Sequence, residues 1–219
     1  MARKRVGILI SGRGSNMAAL IRAAAADDYP AEIALVVSNE PSAAGLAHAS
    51  SQGIATAVVD HRKFADREAF GRALDETLQE AKVDIVCLAG FMRMLSTPFV
   101  QKWSGRMLNV HPSLLPAFKG LDTHARALAA GVKIHGCTVH FVAPELDSGP
   151  IIVQAAVPVL EHDDEERLAA RVLAEEHRIY PAALRWLAEG RLAIDGGRVS
   201  INGAAAAEGA ALPSPGRCR

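Results

Sequence analysis

Apolar positions along the chain fall into two alternating rhythms. Short apolar runs, continuous or every other residue, occupy 5–10, 31–38, 55–59, 83–88, 106–110, 136–142 and 150–157 and predict strands. Between them apolar residues recur three and four apart, the spacing of a one-sided helix. Such stretches lie on Met17, Leu20, Ile21 and Ala24, and over 43–52, 64–82, 124–130 and 163–187. In 64–82 the stripe is Phe70, Leu74, Leu78 and Ala81. Strand and helix taken in turn predict a parallel α/β sheet. No internal repeat interrupts this order, and 1–203 reads as one domain. Residues 204–219, rich in Ala, Gly and Pro, read as a disordered C-terminal tail.

Composition narrows the function classes. The 219 residues suffice for a substantial core. Lys plus Arg equals Asp plus Glu at 24 each, so no global field draws the chain to nucleic acid or to an anionic membrane. No window of about 20 apolar residues is present to span a bilayer. Cys87, Cys137 and Cys218 are odd in number and widely spaced, which points to a reducing cytoplasm rather than a disulfide framework or a zinc site. Nucleic acid and membrane are therefore not among the partners expected.

Four stretches carry candidate chemistry. At the end of the strand 106–110, Pro112 stops the ladder, and alternation places Asn109 and His111 on one face. An amide donor beside an imidazole suits an acyl-type transfer, one group holding an oxyanion and the other moving a proton. The turn Gly12-Arg13-Gly14-Ser15-Asn16 joins a strand to a helix. Its glycines and the helix's free N–H groups favour a phosphate, although a plain tight turn capped by Ser15 is the alternative. It lacks the Lys-Ser/Thr of a P-loop, and Met17 stands where a dinucleotide fingerprint needs a third glycine. Asp147, followed by Ser-Gly-Pro, either satisfies its own turn or orients His111 and stabilises its charged form. Glu176 has Val172, Leu173, Ile179 and Tyr180 as helical neighbours and so falls on the buried stripe. An unpaired charge is costly there, so it needs either a core arginine or the amine of a ligand. Glu175, with Arg171 and Arg178 in reach, is a solvated pair residue.

Five segments together resemble a known family: ISGRGSN at 10–16, LAGFMRML at 88–95, NVHPSLLP at 109–116, HGCTVHFV at 135–142 and ELDSGPII at 145–152. In order and spacing they are similar to the phosphoribosylglycinamide formyltransferases, folate-dependent enzymes of de novo purine synthesis, over about 5–199. The resemblance implies the formyltransferase fold, a three-layer, mostly parallel Rossmann-like sheet with helices on both faces. It implies 10-formyltetrahydrofolate as co-substrate, no metal, and glycinamide ribonucleotide as acceptor. Asn109, His111 and Asp147 would be catalytic. Gly14, Ser15, Asn16 and Pro112 would hold the ribonucleotide, and Glu176 its amine. Met92, Arg93, Met94, Leu95, Arg67 and His140, with Asn109, would meet the folate. Residues 119–122 read as a mobile loop, where Asp122 replaces the family's usual histidine. Methionyl-tRNA formyltransferase and formyltetrahydrofolate deformylase share the Asn-x-His and the later Asp. The first is expected to add a basic C-terminal domain and the second an N-terminal regulatory one. A nucleotide-binding module without catalysis is the remaining alternative.

Overall fold

The computed structural model describes residues 2–203, so the expected tail over 204–219 and Cys218 lie outside the described residues. Seven strands form the main sheet: β1 (Lys4–Ile10), β2 (Ala31–Ser38), β3 (Thr56–Val58), β4 (Ile85–Leu88), β5 (Met107–His111), β6 (Ile134–Phe141) and β7 (Ile151–Pro158). Their order is β3-β2-β1-β4-β5-β6-β7. The first five are mutually parallel, and β6 runs antiparallel to both β5 and β7. Six helices surround the sheet: α1 (Ser15–Ala24), α2 (Ala44–Ser51), α3 (Arg67–Glu80), α4 (Thr97–Lys102), α5 (Thr123–Ala129) and α6 (Glu165–Ala188). A hairpin, β8 (Leu192–Asp195) and β9 (Arg198–Ile201), follows α6.

Alternation along β1 sorts the core into two layers. Val6, Ile8 and Ile10 pack with Met17 and Leu20 of α1 and with Leu168 and Val172 of α6. Leu9 turns to the other face, against Phe70, Leu74 and Leu78 of α3 and Phe99 of α4. Because both faces are covered, β4 is buried at every position, which is why its sequence is an unbroken apolar run. Gly7 lets α3 close on the sheet: a Cβ there would lie 2.6 Å from Leu78 Cδ2.

The predicted elements are present, with differences at their edges. The helix expected over 64–82 begins at Arg67, because the Asp66 side chain accepts the Ala69 N–H (2.7 Å) and caps it. Residues 61–63 form a separate 3₁₀ turn capped by Asp60. Helix α4 and the β8–β9 hairpin are additions. The former is six residues long, too short for a stripe, and the latter has strands of only four residues each, its turn being Gly196-Gly197 with both φ positive (51° and 81°). Helix α6 runs through Pro181, whose carbonyl accepts the Tyr29 hydroxyl (2.7 Å).

The site follows from this topology. From β1 the chain builds outward to β2 and β3, then crosses back to β4 on β1's other side. A crevice therefore opens beyond the carboxyl ends of β1 and β4, where open α/β sheets bind ligands. The loops 11–16 and 89–95 leave from those ends, and β5 ends beside them at His111. The buried Tyr180 hydroxyl lies 3.0 and 3.1 Å from the Leu88 and Leu108 carbonyls, tying α6 to the end of β4 and the start of β5. The antiparallel register pairs Asn109 with His140 and His111 with Thr138.

Candidate active site

Asn109, His111 and Asp147 meet at the end of β5. His111 is buried, and its Nδ1 lies 3.4 Å from Asp147 Oδ2. Asp147 is held by its main chain: φ is 47°, a left-handed conformation that aspartate tolerates better than most residues. Two residues on, Gly149 is wedged on β6, where a Cβ would stand 1.8 Å from the Phe141 carbonyl oxygen. Glycine there lets the turn lie flat on the strand and sets the carboxylate against the ring.

Residues 118–120 close over the pair. The Gly120 N–H donates to Asp147 Oδ2 (2.9 Å), and His111 Nε2 lies 3.0 Å from the Phe118 carbonyl oxygen. The Phe118 carbonyl only accepts, so Nε2 carries a proton, while Nδ1 faces the Asp147 carboxylate. For Nε2 to face a substrate oxygen, the Phe118 carbonyl has to withdraw. Phe118, Gly120 and Asp122 all have positive φ (51°, 80° and 54°), and a bulky residue such as Phe118 is strained in that region.

His140 sets the amide of Asn109. Its Nδ1 lies 2.8 Å from the Phe141 carbonyl and so carries the proton, leaving Nε2 to accept from Asn109 Nδ2 at 3.3 Å. Burial holds the His140 pKa down, which keeps this neutral form. One N–H of Asn109 is used in this way and the other remains for a ligand oxygen.

The face of this group opens into a cavity of about 120 Å³. Its walls include Leu88, Phe91, Leu95 and Val142, with Asn109 and His140 at the polar end, a setting that fits a flat heterocycle. Arg93 and Met94 also line it. Met92 does not: its side chain is exposed, and its N–H donates to Ser11 Oγ (2.7 Å). Arg67, exposed at the start of α3, is not brought to the lining.

At the neighbouring end of the crevice, Gly14 (φ 74°) is the N-cap of α1, and no side chain caps the helix. Ser15 is its first residue, so the Ser15-capped turn is not what forms. Asn16 is buried and donates from Nδ2 to Glu176 Oε2 (2.7 Å), while Asn16 Oδ1 is buried with no partner. The core arginine weighed for Glu176 is replaced by this amide. Burial raises the Glu176 pKa and the Asn16 bond partly offsets it. Glu175 pairs with Arg178 (3.3 Å), but Arg171 goes instead to Asp163 (2.7 Å). Pro112 directly follows His111, and its main chain is bonded to His135.

Next to the Asp147–His111 pair sits an unpredicted stack. The rings of His124 and His135 meet edge to face at 5.3 Å, and Phe118 meets His135 at 5.9 Å. Desolvation lowers both histidine pKa values, that of His135 to about 4. The contributions of Phe118, Gly120 and Ser11 were not legible because main-chain contacts and a lone serine carry no residue-type signature.

A sequence model of the formyl transferase family matches residues 4–184. The chain belongs to the formyl transferase family. It is 46% identical over 208 residues to the phosphoribosylglycinamide formyltransferase of Escherichia coli, covering 92% of this chain and 98% of that protein. It is 52% identical over 188 residues to the human trifunctional purine biosynthetic protein adenosine-3, covering 86% of this chain and 19% of that protein. The chain thus spans about a fifth of the length of such trifunctional relatives. A glycinamide ribonucleotide transformylase from Symbiobacterium toebii superimposes with a TM-score of 0.89 at 50% identity, covering 91% and 94% of the two chains. The resemblance read from the five segments is borne out, and the family uses formyl-tetrahydrofolate as its formyl donor.

The geometry yields two expectations. Gly149→Ala, which drives a methyl into the Phe141 carbonyl, should displace Asp147 and lower turnover about 10²-fold, as misplacements of about 1 Å do, with the fold retained. Near-normal turnover would contradict the role of the wedge. His135, with its folded pKa below the unfolded value, is neutral when buried, so the unfolded chain binds more protons between them. Its contribution is full above pH about 6.5 and is lost as pH falls towards about 4. Melting temperatures over that interval should fall less for His135→Phe than for the parent chain; equal slopes would refute the assignment.

Proposed function

We propose that the chain transfers the formyl group of 10-formyltetrahydrofolate to the amine of glycinamide ribonucleotide, a step of de novo purine synthesis, with Asn109, His111 and Asp147 as its catalytic residues. The reading rests above all on the 3.4 Å approach of Asp147 to His111 at the end of the cavity. It is supported by the names of relatives 46% and 50% identical over more than nine-tenths of this chain.

The folate supplies the formyl carbon and the nitrogen that departs. The amine forms a bond to that carbon while the carbonyl electron pair moves onto oxygen. The free N–H of Asn109 and the protonated His111 hold that oxygen, which concentrates donors where charge develops. Asp147 stabilises the imidazolium and, with His111 or through water, moves the proton from the attacking nitrogen to the departing one. An oxyanion donor contributes about 10²–10³ in turnover and a general acid–base group about 10²–10⁴.

Gly14, Ser15 and Asn16 hold the ribonucleotide phosphate on the uncapped α1 N-terminus. Glu176 takes the glycyl amine, which returns a full charge partner to a carboxylate now held only by Asn16. Pro112 lies on the ribonucleotide side of His111. Main-chain groups of 92–95 meet the pterin, with His140 beside them, and Arg67 reaches the folate from outside the cavity wall. The partners are these small molecules, without nucleic acid or membrane, the chain acting as monomer or homodimer. Cytoplasmic residence fits the free, buried Cys87 and Cys137.

One observation favours a second reading. A formyltetrahydrofolate deformylase from Pseudomonas syringae superimposes with a TM-score of 0.84 at 28% identity, covering 91% of this chain and 66% of that one. Incubation with 10-formyltetrahydrofolate, with and without glycinamide ribonucleotide, separates the two. Turnover only with the ribonucleotide is expected; turnover in water alone would favour the deformylase, and none would leave a binding module. Asp147→Asn should keep folate affinity within about twofold and cut turnover about 10²-fold or more; normal turnover would refute its role. Glu176→Gln should mainly raise KM for the ribonucleotide, and a lower melting temperature with unchanged kinetics would make it a core residue instead.

A further inference from the structure

The loop after β1 and the loop after β4 carry the ribonucleotide and the folate, respectively, in the reading above, and a single side chain joins them. Ser11 stands immediately before Gly12. Its main-chain N–H donates to the Gly90 carbonyl (3.1 Å), and its Oγ accepts the Met92 N–H (2.7 Å). The same hydroxyl donates to Asn39 Oδ1 (2.5 Å), and Asn39 is almost wholly buried at the end of β2.

The direction of this chain of bonds is set from its far end. Asn39 Nδ2 lies 3.3 Å from Glu40 Oε1 and 3.2 Å from His61 Nδ1. A carboxylate only accepts, so Asn39 presents its NH₂ to Glu40 and therefore its carbonyl oxygen to Ser11. A hydroxyl has one proton. With that proton committed to Asn39, a lone pair of Ser11 is left for the N–H of Met92. The serine rotor, free in isolation, is locked in the orientation that pins the 90–95 loop to the start of the glycine turn. The glycine turn is anchored independently, since Gly45 N–H donates to the Gly12 carbonyl (3.0 Å), and Ser11 N–H still holds Gly90, so loss of the hydroxyl releases the second loop at Met92 alone.

We propose that Ser11, oriented by Asn39, is a positioning residue for formyl transfer: its Oγ fixes the main chain at Met92 and so the folate-binding loop against the ribonucleotide-binding turn. The inference rests on the functional reading above for the identity of the two substrates.

The test compares the parent chain with Ser11→Ala and Ser11→Thr. Removing one neutral hydrogen bond should raise KM for 10-formyltetrahydrofolate about three- to tenfold. KM for the ribonucleotide and kcat should stay within about twofold, and Ser11→Thr, which keeps the hydroxyl, should recover most of the loss. Hydrogen exchange reads the same bond without turnover: segment 90–95 should lose protection in Ser11→Ala and keep it in Ser11→Thr, while helix α1 is unchanged. Unaltered exchange at 90–95 in Ser11→Ala overturns the proposal. So does a uniform change in both KM values with a lowered melting temperature, which would make Ser11 a folding residue. A parent chain that transfers no formyl group would refute the functional reading alone, because the exchange arm decides the Ser11–Met92 link by itself.

Discussion

A carboxylate pressed against an imidazole out of reach of bulk water is the contact on which the rest of the site turns. Both side chains of the Asp147–His111 pair are more than nine-tenths buried. Charges so placed are costly unless each finds a partner and its remaining hydrogen-bonding capacity is met. The fold supplies those partners from main chain rather than from further charged groups. Gly120 gives an N–H to the carboxylate, Phe118 gives a carbonyl to the ring, and Gly149 lets the turn sit hard on β6. The pair is thereby held apart from the bulk water that would otherwise screen it.

The same economy appears at the other end of the crevice. Glu176 reaches into the interior from α6 and meets an amide, Asn16, with no cation among its hydrogen-bonding partners. A carboxylate left with a neutral partner and a raised pKa is held in a less favourable state than an ion pair would be. An incoming amine would relieve it, so stability withheld from the folded chain is available to binding. Asn16 adds to this: its oxygen is buried without a donor, so the pair as a whole is under-satisfied in donors.

The centre of the parallel half of the sheet was legible because β1 and β4 are buried on both faces and read as apolar runs between amphipathic helices. The Asn109–His111 pair was legible from strand alternation and the stop at Pro112. Glu176 stood out as a charge on an apolar stripe. What could not be read is the material that depends on register and main chain. The antiparallel turn of β6 decides that His140 lies beside Asn109, and alternation within β6 alone does not give that pairing. Helix α4 is shorter than two turns, too brief for its periodicity to register, although Ser96 and Pro98 mark its start. The contacts of Phe118 and Gly120 are made by backbone atoms that every residue possesses.

Across the site, orientation is imposed by groups that can act in only one sense. The Phe141 carbonyl must accept, so His140 carries its proton on Nδ1 and turns a lone pair to Asn109, whose NH₂ then faces the cavity. The Phe118 carbonyl must accept, so His111 turns an N–H from Nε2 to it and sets Nδ1 towards the Asp147 carboxylate. Asn, His and Ser are each ambiguous in isolation, because an amide flips, an imidazole has two tautomers and a hydroxyl rotates. Anchored to a carbonyl or a carboxylate, directly or through a neighbour, His140, Asn109, Asn39 and Ser11 each take a single orientation. The Phe118 carbonyl differs from that of Phe141 in belonging to a loop residue of positive φ (51°), where a bulky side chain is strained, whereas Phe141 ends β6. A strand thus carries the amide while a loop carbonyl meets the ring, so the two donor groups are held by different parts of the fold.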